Sequence, residues 1–185
     1  MTGNPQADFA AAARIFFAYY RDEYDFLYLF SDAQLDMAPA GIFTHVRYEA
    51  TPGTGLDRDF ANEMFGSEAA LRGTVALNFF DGGNGPTLHE TLHYWAVHLD
   101  RQQFGFGRDA MNDFGAHWGV TGVMGQLGGY DPSTLRCKAT DAVPPCEPDA
   151  DGTFEITLGP FDAASNGGDG IPYAPLELYL MGLIP

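Results

Sequence analysis

The pentad His89-Glu90-Thr91-Leu92-His93 limits this chain more than any other feature of its sequence. Two histidines four residues apart stand one turn apart on the same face of a helix. From there both imidazoles can point a nitrogen at one cation, and imidazole binds Zn²⁺ at ~2.0–2.1 Å. Glu90 follows His89 directly, so its carboxylate can reach a water held on that cation and take its proton. The spacing therefore predicts a helix, and the flanking residues agree. Asp81–Gly85 reads as a turn, Asn84 or Gly85 can cap, and Pro86 suits the first helical position, where no N–H is needed. The predicted helix runs from Pro86 to about Asp100.

The remaining elements follow from periodicity. Residues 7–21 read as a helix, rich in Ala, with Phe9, Ala13, Phe16, Phe17 and Tyr20 at helical spacing. Tyr24–Phe30 reads as a buried aromatic strand, Ile42–Tyr48 as a second strand and Thr74–Phe80 as a third. Thr51–Asp57 is a loop, and residues 101–152 are irregular, with Gly, Asp and Pro throughout. Thr153–Leu158 is a further strand, Phe161–Gly170 a Gly/Asp loop and Pro175–Met181 a short final helix. This order predicts an α+β fold over residues 1–185: a mixed sheet packed on an N-terminal helix and on the histidine-bearing helix, with long irregular loops. The length of 185 residues suits one domain with a real core.

Charge excludes several function classes. Nine Lys and Arg stand against 25 Asp and Glu, a formal net charge of -16. Such a chain lacks the basic face that nucleic acids and anionic membranes attract. Hydrophobic residues at 45% and aromatics at 14% exclude a disordered acidic tail. No apolar run approaches the ~20 residues that span a bilayer, so no membrane insertion is expected. Cys137 and Cys146 flank a loop containing Pro144 and Pro145, and a local disulfide fits an oxidising compartment. Few lysines and many aromatics and glycines point the same way, to an extracellular or cell-surface protein. Met1–Ala13 lacks a basic n-region and a cleavage site, while Tyr179–Pro185 is apolar to its end. The expectation is a piece of a longer exported protein, its leader not present in this chain.

The pentad and its setting resemble a zincin metallopeptidase domain, strongest over residues 74–99. Two further blocks, Ala116-His117-Trp118-Gly119 and Tyr173-Ala-Pro-Leu-Glu177-Leu-Tyr179-Leu-Met181-Gly182-Leu, are similar to segments of uncharacterised bacterial secreted proteins that carry the same pentad. With them the resemblance covers most of the chain. It implies a zinc-dependent peptidase acting on a peptide or protein. Zinc would be held by His89, His93 and a third ligand downstream, with Glu90 as general base.

The third ligand is open between two residues. The compact metzincin spacing fails, because Ala96 stands at the Gly position and Leu99 at the final His position. His98 is one residue off register, on another face of the helix. His117, between Gly115 and Trp118-Gly119, is one candidate, and Met181 would then lie beneath the metal as a Met-turn. Glu177, the only acid in an apolar segment, is the other, as in gluzincins. Whichever of the two does not bind the metal is a candidate support for a ligating histidine. Asp109 and Asp113 stand behind them. Tyr179, or Tyr173, can offer a phenol to the developing oxyanion. Trp95 and Trp118 are expected to pack around the site.

Weaker signals remain. Asp149-Ala-Asp151-Gly152 resembles the start of a calcium loop, and Asp162–Asp169 is acidic and Gly-rich, so a structural Ca²⁺ is a second cofactor to consider. The chain has no Gly-x-Ser-x-Gly elbow, and neither cysteine has a neighbouring His. Two readings compete with the peptidase. One is a non-catalytic, metal-stabilised module of a larger surface or secreted protein, with the fourth zinc position closed by protein. The other is a non-peptidase metal-dependent amidohydrolase.

Overall fold

Phe9, Ala10 and Ala13, spaced to share a helix face, are buried along helix α1 (Pro5–Phe17) in the computed structural model. That structure describes residues 5–31, 41–51, 56, 58–77, 86–96, 117–119, 121–148, 150–153, 155–159 and 168–185. Helix α1 stops short of the expected Arg21. The N–H groups of Tyr19 and Tyr20 both turn back to the Phe16 carbonyl, and the ring of Tyr20 stacks on Phe16.

Three strands form the main sheet: β1 (Phe26–Phe30), β2 (Gly41–His45) and β5 (Gly73–Leu77), in the order β1-β5-β2. Strand β5 is central and buried at every residue, which accounts for its unbroken small and apolar run. It pairs parallel with β1, Phe26 opposite Gly73, and antiparallel with β2, Gly41 opposite Leu77. Residues 78–80 of the expected third strand lie outside the described residues. Strand β1 is an edge, and so only Leu27 within it is buried, whereas Tyr28 and Phe30 are exposed. The expectation of a buried strand is corrected there. The expected strand over Ile42–Tyr48 divides at Val46. The N–H groups of Val46 and Arg47 share the Arg72 carbonyl, and the chain bends away. Strand β3 (Arg47–Tyr48) then pairs with β4 (Phe60–Ala61) in a separate ribbon.

Each face of the sheet has its own cover. Leu27 and Ala76 face α1, joined by Val46, Leu71 and Phe65, the last carried on a 3₁₀ turn over Glu63–Phe65. Phe26, Tyr28 and Phe43 face helix α2 (Thr87–Leu92): Phe26 meets Tyr94 and Trp95, and the Tyr28 hydroxyl lies 2.7 Å from Thr91 Oγ1. A second core of Leu92, Ala96, Trp118 and Leu127, with Tyr173, Leu180 and Met181 against it, joins α2 to the 117–128 segment and to helix α3 (Pro175–Leu180). Strands β6 (Arg136–Cys137) and β7 (Ile156–Thr157) form a small ribbon, and Cys137 is bridged to Cys146. Among the described residues the architecture is mixed α+β with small sheets and few helices. No helix of the described residues is long and apolar enough to cross a membrane.

Helix α2 is shorter than the sequence suggested. Regular helix ends at Leu92, where Tyr94 and Trp95 turn to pack on Phe26, and His93 continues it as a tight turn with its N–H on the Glu90 carbonyl. Pro86 stands just before the helix rather than at its first position, and residues 78–85 and 97–100, with Asn84, Gly85 and His98, lie outside the described residues. A carboxylate 81 positions away caps the start: the Leu88 N–H donates to Asp169 Oδ1 at 2.9 Å.

Gly41 sets how closely α2 meets the sheet. A Cβ there would stand 2.8 Å from Glu90 Cγ and 2.9 Å from both Glu90 Oε1 and Pro86 Cγ. Gly41→Ala should force α2 outward and destabilise the fold by about 1–3 kcal/mol. Urea denaturation checks this, and an unchanged midpoint would contradict the close approach.

Candidate metal centre

Three imidazoles converge beside this helix. His89 projects from α2, His93 from the tight turn that follows it, and His117 arrives from the start of the 117–128 segment. Their ring centroids lie 4.8–5.0 Å apart. His89 Nε2 is 3.0 Å from His117 Nε2 and 3.2 Å from His93 Nε2. Three nitrogens bound to one tetrahedral zinc at ~2.0–2.1 Å stand about 3.3 Å apart. The spacing thus needs little adjustment to hold an ion. These three residues are the group among the described residues that can hold a metal ion.

The donor chemistry fits as well. His89 Nδ1 lies 2.7 Å from the Gln126 carbonyl oxygen, which can only accept, so Nδ1 carries the proton and Nε2 offers its lone pair. Burial holds His89 below the usual histidine range, although its bond to Gln126 pulls the other way. Burial, and then the neighbouring His89, push His117 down to about 4. Neutral imidazole suits Zn²⁺ and other divalent first-row ions.

Glu90 follows His89 on α2 and is 5% exposed, with its carboxyl against β2 at Gly41 and the Phe43 N–H donating to it. Burial pushes it up to about 7, and the Phe43 bond pulls the other way.

Glu177 is elsewhere. It is fully buried at the third position of α3, and four donors reach its two oxygens. Oε1 accepts from Trp118 Nε1 (3.0 Å) and from the Leu127 N–H (3.0 Å). Oε2 accepts from the N–H groups of Gln126 (2.9 Å) and Ala174 (2.8 Å), the latter a helix-capping bond. The structure thus brings His117 to the histidine pair and holds Glu177 on the backbone that carries it. Tyr173 donates to the Leu88 carbonyl at 2.9 Å, and burial raises its phenol. Tyr179 is 59% exposed, and Met181 packs against the second core. Trp118 borders the site through Glu177, and Trp95 packs on Phe26. Asp109, Asp113 and Asp149 lie outside the described residues, whereas Asp151 bonds the N–H and hydroxyl of Thr153.

Gln126 carries no signal in the sequence, and Asp169 shows there only as the end of an acidic, Gly-rich loop. Gln126 serves through its backbone carbonyl, which any residue has, and through Nε2, which donates to the carbonyls of Gly168 (3.0 Å) and Ile171. Asp169 acts across 81 positions. No local pattern marks either role.

No protein-family model, curated protein or solved structure matches this chain.

Glu90 gives a pH signature. A carboxyl raised on folding adds stability below its unfolded value, and that stability is lost as pH rises through about 7. Glu90→Gln removes the loss. With the metal chelated, the variant should gain on wild type between pH 5 and pH 8 by on the order of 2 kcal/mol. Denaturation at both pH values measures this, and a difference that does not change with pH would contradict the buried carboxyl.

Proposed function

We propose that this chain is a zinc-dependent metallopeptidase with a zincin-like fold. The reading rests on one observation: three Nε2 atoms converge, two of them from histidines that flank Glu90 in the pentad. His89, His93 and His117 would hold the ion through Nε2, which leaves a fourth position for water or substrate. Zinc in such a site acts as a Lewis acid on a carbonyl and lowers the pKa of bound water. Glu90 takes a proton from the attacking water and passes it to the departing amine nitrogen, so that peptide C–N cleavage balances. Strand β2 and the Phe43 N–H hold its carboxyl for that transfer. The bond from His89 Nδ1 to Gln126 keeps the ligating nitrogen deprotonated. The Cys137–Cys146 bridge supports an exported protein.

Metal analysis together with a peptide-cleavage assay tests this. Wild type should carry about one zinc per chain and hydrolyse peptides. Glu90→Gln should keep the zinc and lose on the order of 10²–10⁴-fold in kcat, while His93→Ala and His117→Ala should lose the zinc. Activity that survives Glu90→Gln would overturn the mechanism. Stoichiometric zinc without peptide hydrolysis in wild type would favour a structural metal module or a different amidohydrolase.

A further inference from the structure

The ligands come from two stretches far apart in sequence, and one buried carboxylate touches what orients both. Gln126, whose carbonyl fixes the His89 ring, has its own N–H on Glu177 Oε2. Trp118, the residue after His117, gives its indole N–H to Glu177 Oε1, and its backbone N–H bonds the Leu127 carbonyl at 2.9 Å. The Leu127 N–H shares that same Oε1. A Cβ on Gly125 would stand 2.2 Å from Glu177 Oε2, so the segment folds directly over the carboxylate. All these groups are fully or nearly fully buried, where a charge-assisted hydrogen bond is strong and a lost partner is costly.

We infer that Glu177 is a positioning residue for the metal centre: from α3 it sets the Gln126 carbonyl that orients His89 and the Trp118 segment that delivers His117. The inference rests on the metal-site reading above and deepens it. It assigns Glu177 no contact with the metal or the substrate. Its consequence is that metal affinity depends on the docking of α3, although α3 supplies no ligand. Carboxylates and carbonyls that orient ligating histidines change metal affinity when altered, by about 10–100-fold.

The test is Zn²⁺ affinity by competition with a chromophoric chelator, with the Co²⁺ absorption spectrum as a report on ligand geometry. Glu177→Gln places an amide NH₂ against N–H donors and should weaken zinc about 10–100-fold and alter the cobalt spectrum. Trp118→Phe keeps the packing, removes one donor from the carboxylate and should weaken zinc less. Leu71→Ala, in the core beneath α1, controls for stability alone. It should lower Tm yet leave affinity and spectrum as in wild type. Glu177→Gln with wild-type affinity and spectrum would overturn the inference. If that variant does not fold, Trp118→Phe decides, and unchanged affinity there overturns it equally. Absence of zinc binding by wild type itself would remove the underlying metal-site reading.

Discussion

The buried Glu177 carboxylate, with four donors on two oxygens, is the interaction on which the second half of the structure depends. Among the described residues, regular structure is scarce between α2 and α3, and the N–H groups of Gln126 and Leu127 find their partner in a side chain rather than in a ladder. A buried N–H without a partner is costly, and Glu177 supplies the missing acceptor for Gln126 and Leu127. The same fold-back puts the Gln126 carbonyl beside His89 and Gln126 Nε2 on residues 168–171, whose Asp169 caps α2. Helix, loop and final helix thereby form one closed network around the three histidines.

Acidic composition takes on a specific meaning in this light. Carboxylates accept backbone N–H groups at several turns. Asp22 gathers Glu68 and Ala69, Asp59 holds Ala50, Asp131 holds Ser133 and Asp151 holds Thr153. In a chain with short elements and long loops, side-chain carboxylates take over part of the role that strands and helices play elsewhere. The net charge of -16 argues first against nucleic-acid and anionic-membrane partners. Several of the carboxylates in the described residues also hold loop backbone.

What was legible in the sequence was local. The Ala-rich first helix, the apolar run of β5, the pentad on its helix and the Pro-started final helix each carry their signal within a few residues. The limits of these elements were less legible. Helix α2 tightens at His93 because Tyr94 and Trp95 are drawn to Phe26 on a strand 60-odd positions away. The second strand breaks at Val46 because one Arg72 carbonyl serves two N–H groups. At the site, His89 and His93 were readable as a pair from spacing alone. The choice between His117 and Glu177 was not, since both are chemically acceptable and only the fold-back of 117–128 distinguishes them. Burial of Glu177 was foreshadowed by its apolar neighbours, but its four donors lie up to 59 positions away.

Coordination of the metal is where the three-histidine centre meets its most direct test. X-ray absorption at the zinc edge, on protein loaded with one equivalent, reads it without reference to any substrate. Three imidazole nitrogens and one light-atom ligand from solvent, at ~2.0–2.1 Å, is the expected result, falling to two imidazoles or to no bound zinc in His117→Ala. A spectrum with sulfur ligands, or with two imidazoles in wild type and no change in His117→Ala, would contradict the three-histidine centre.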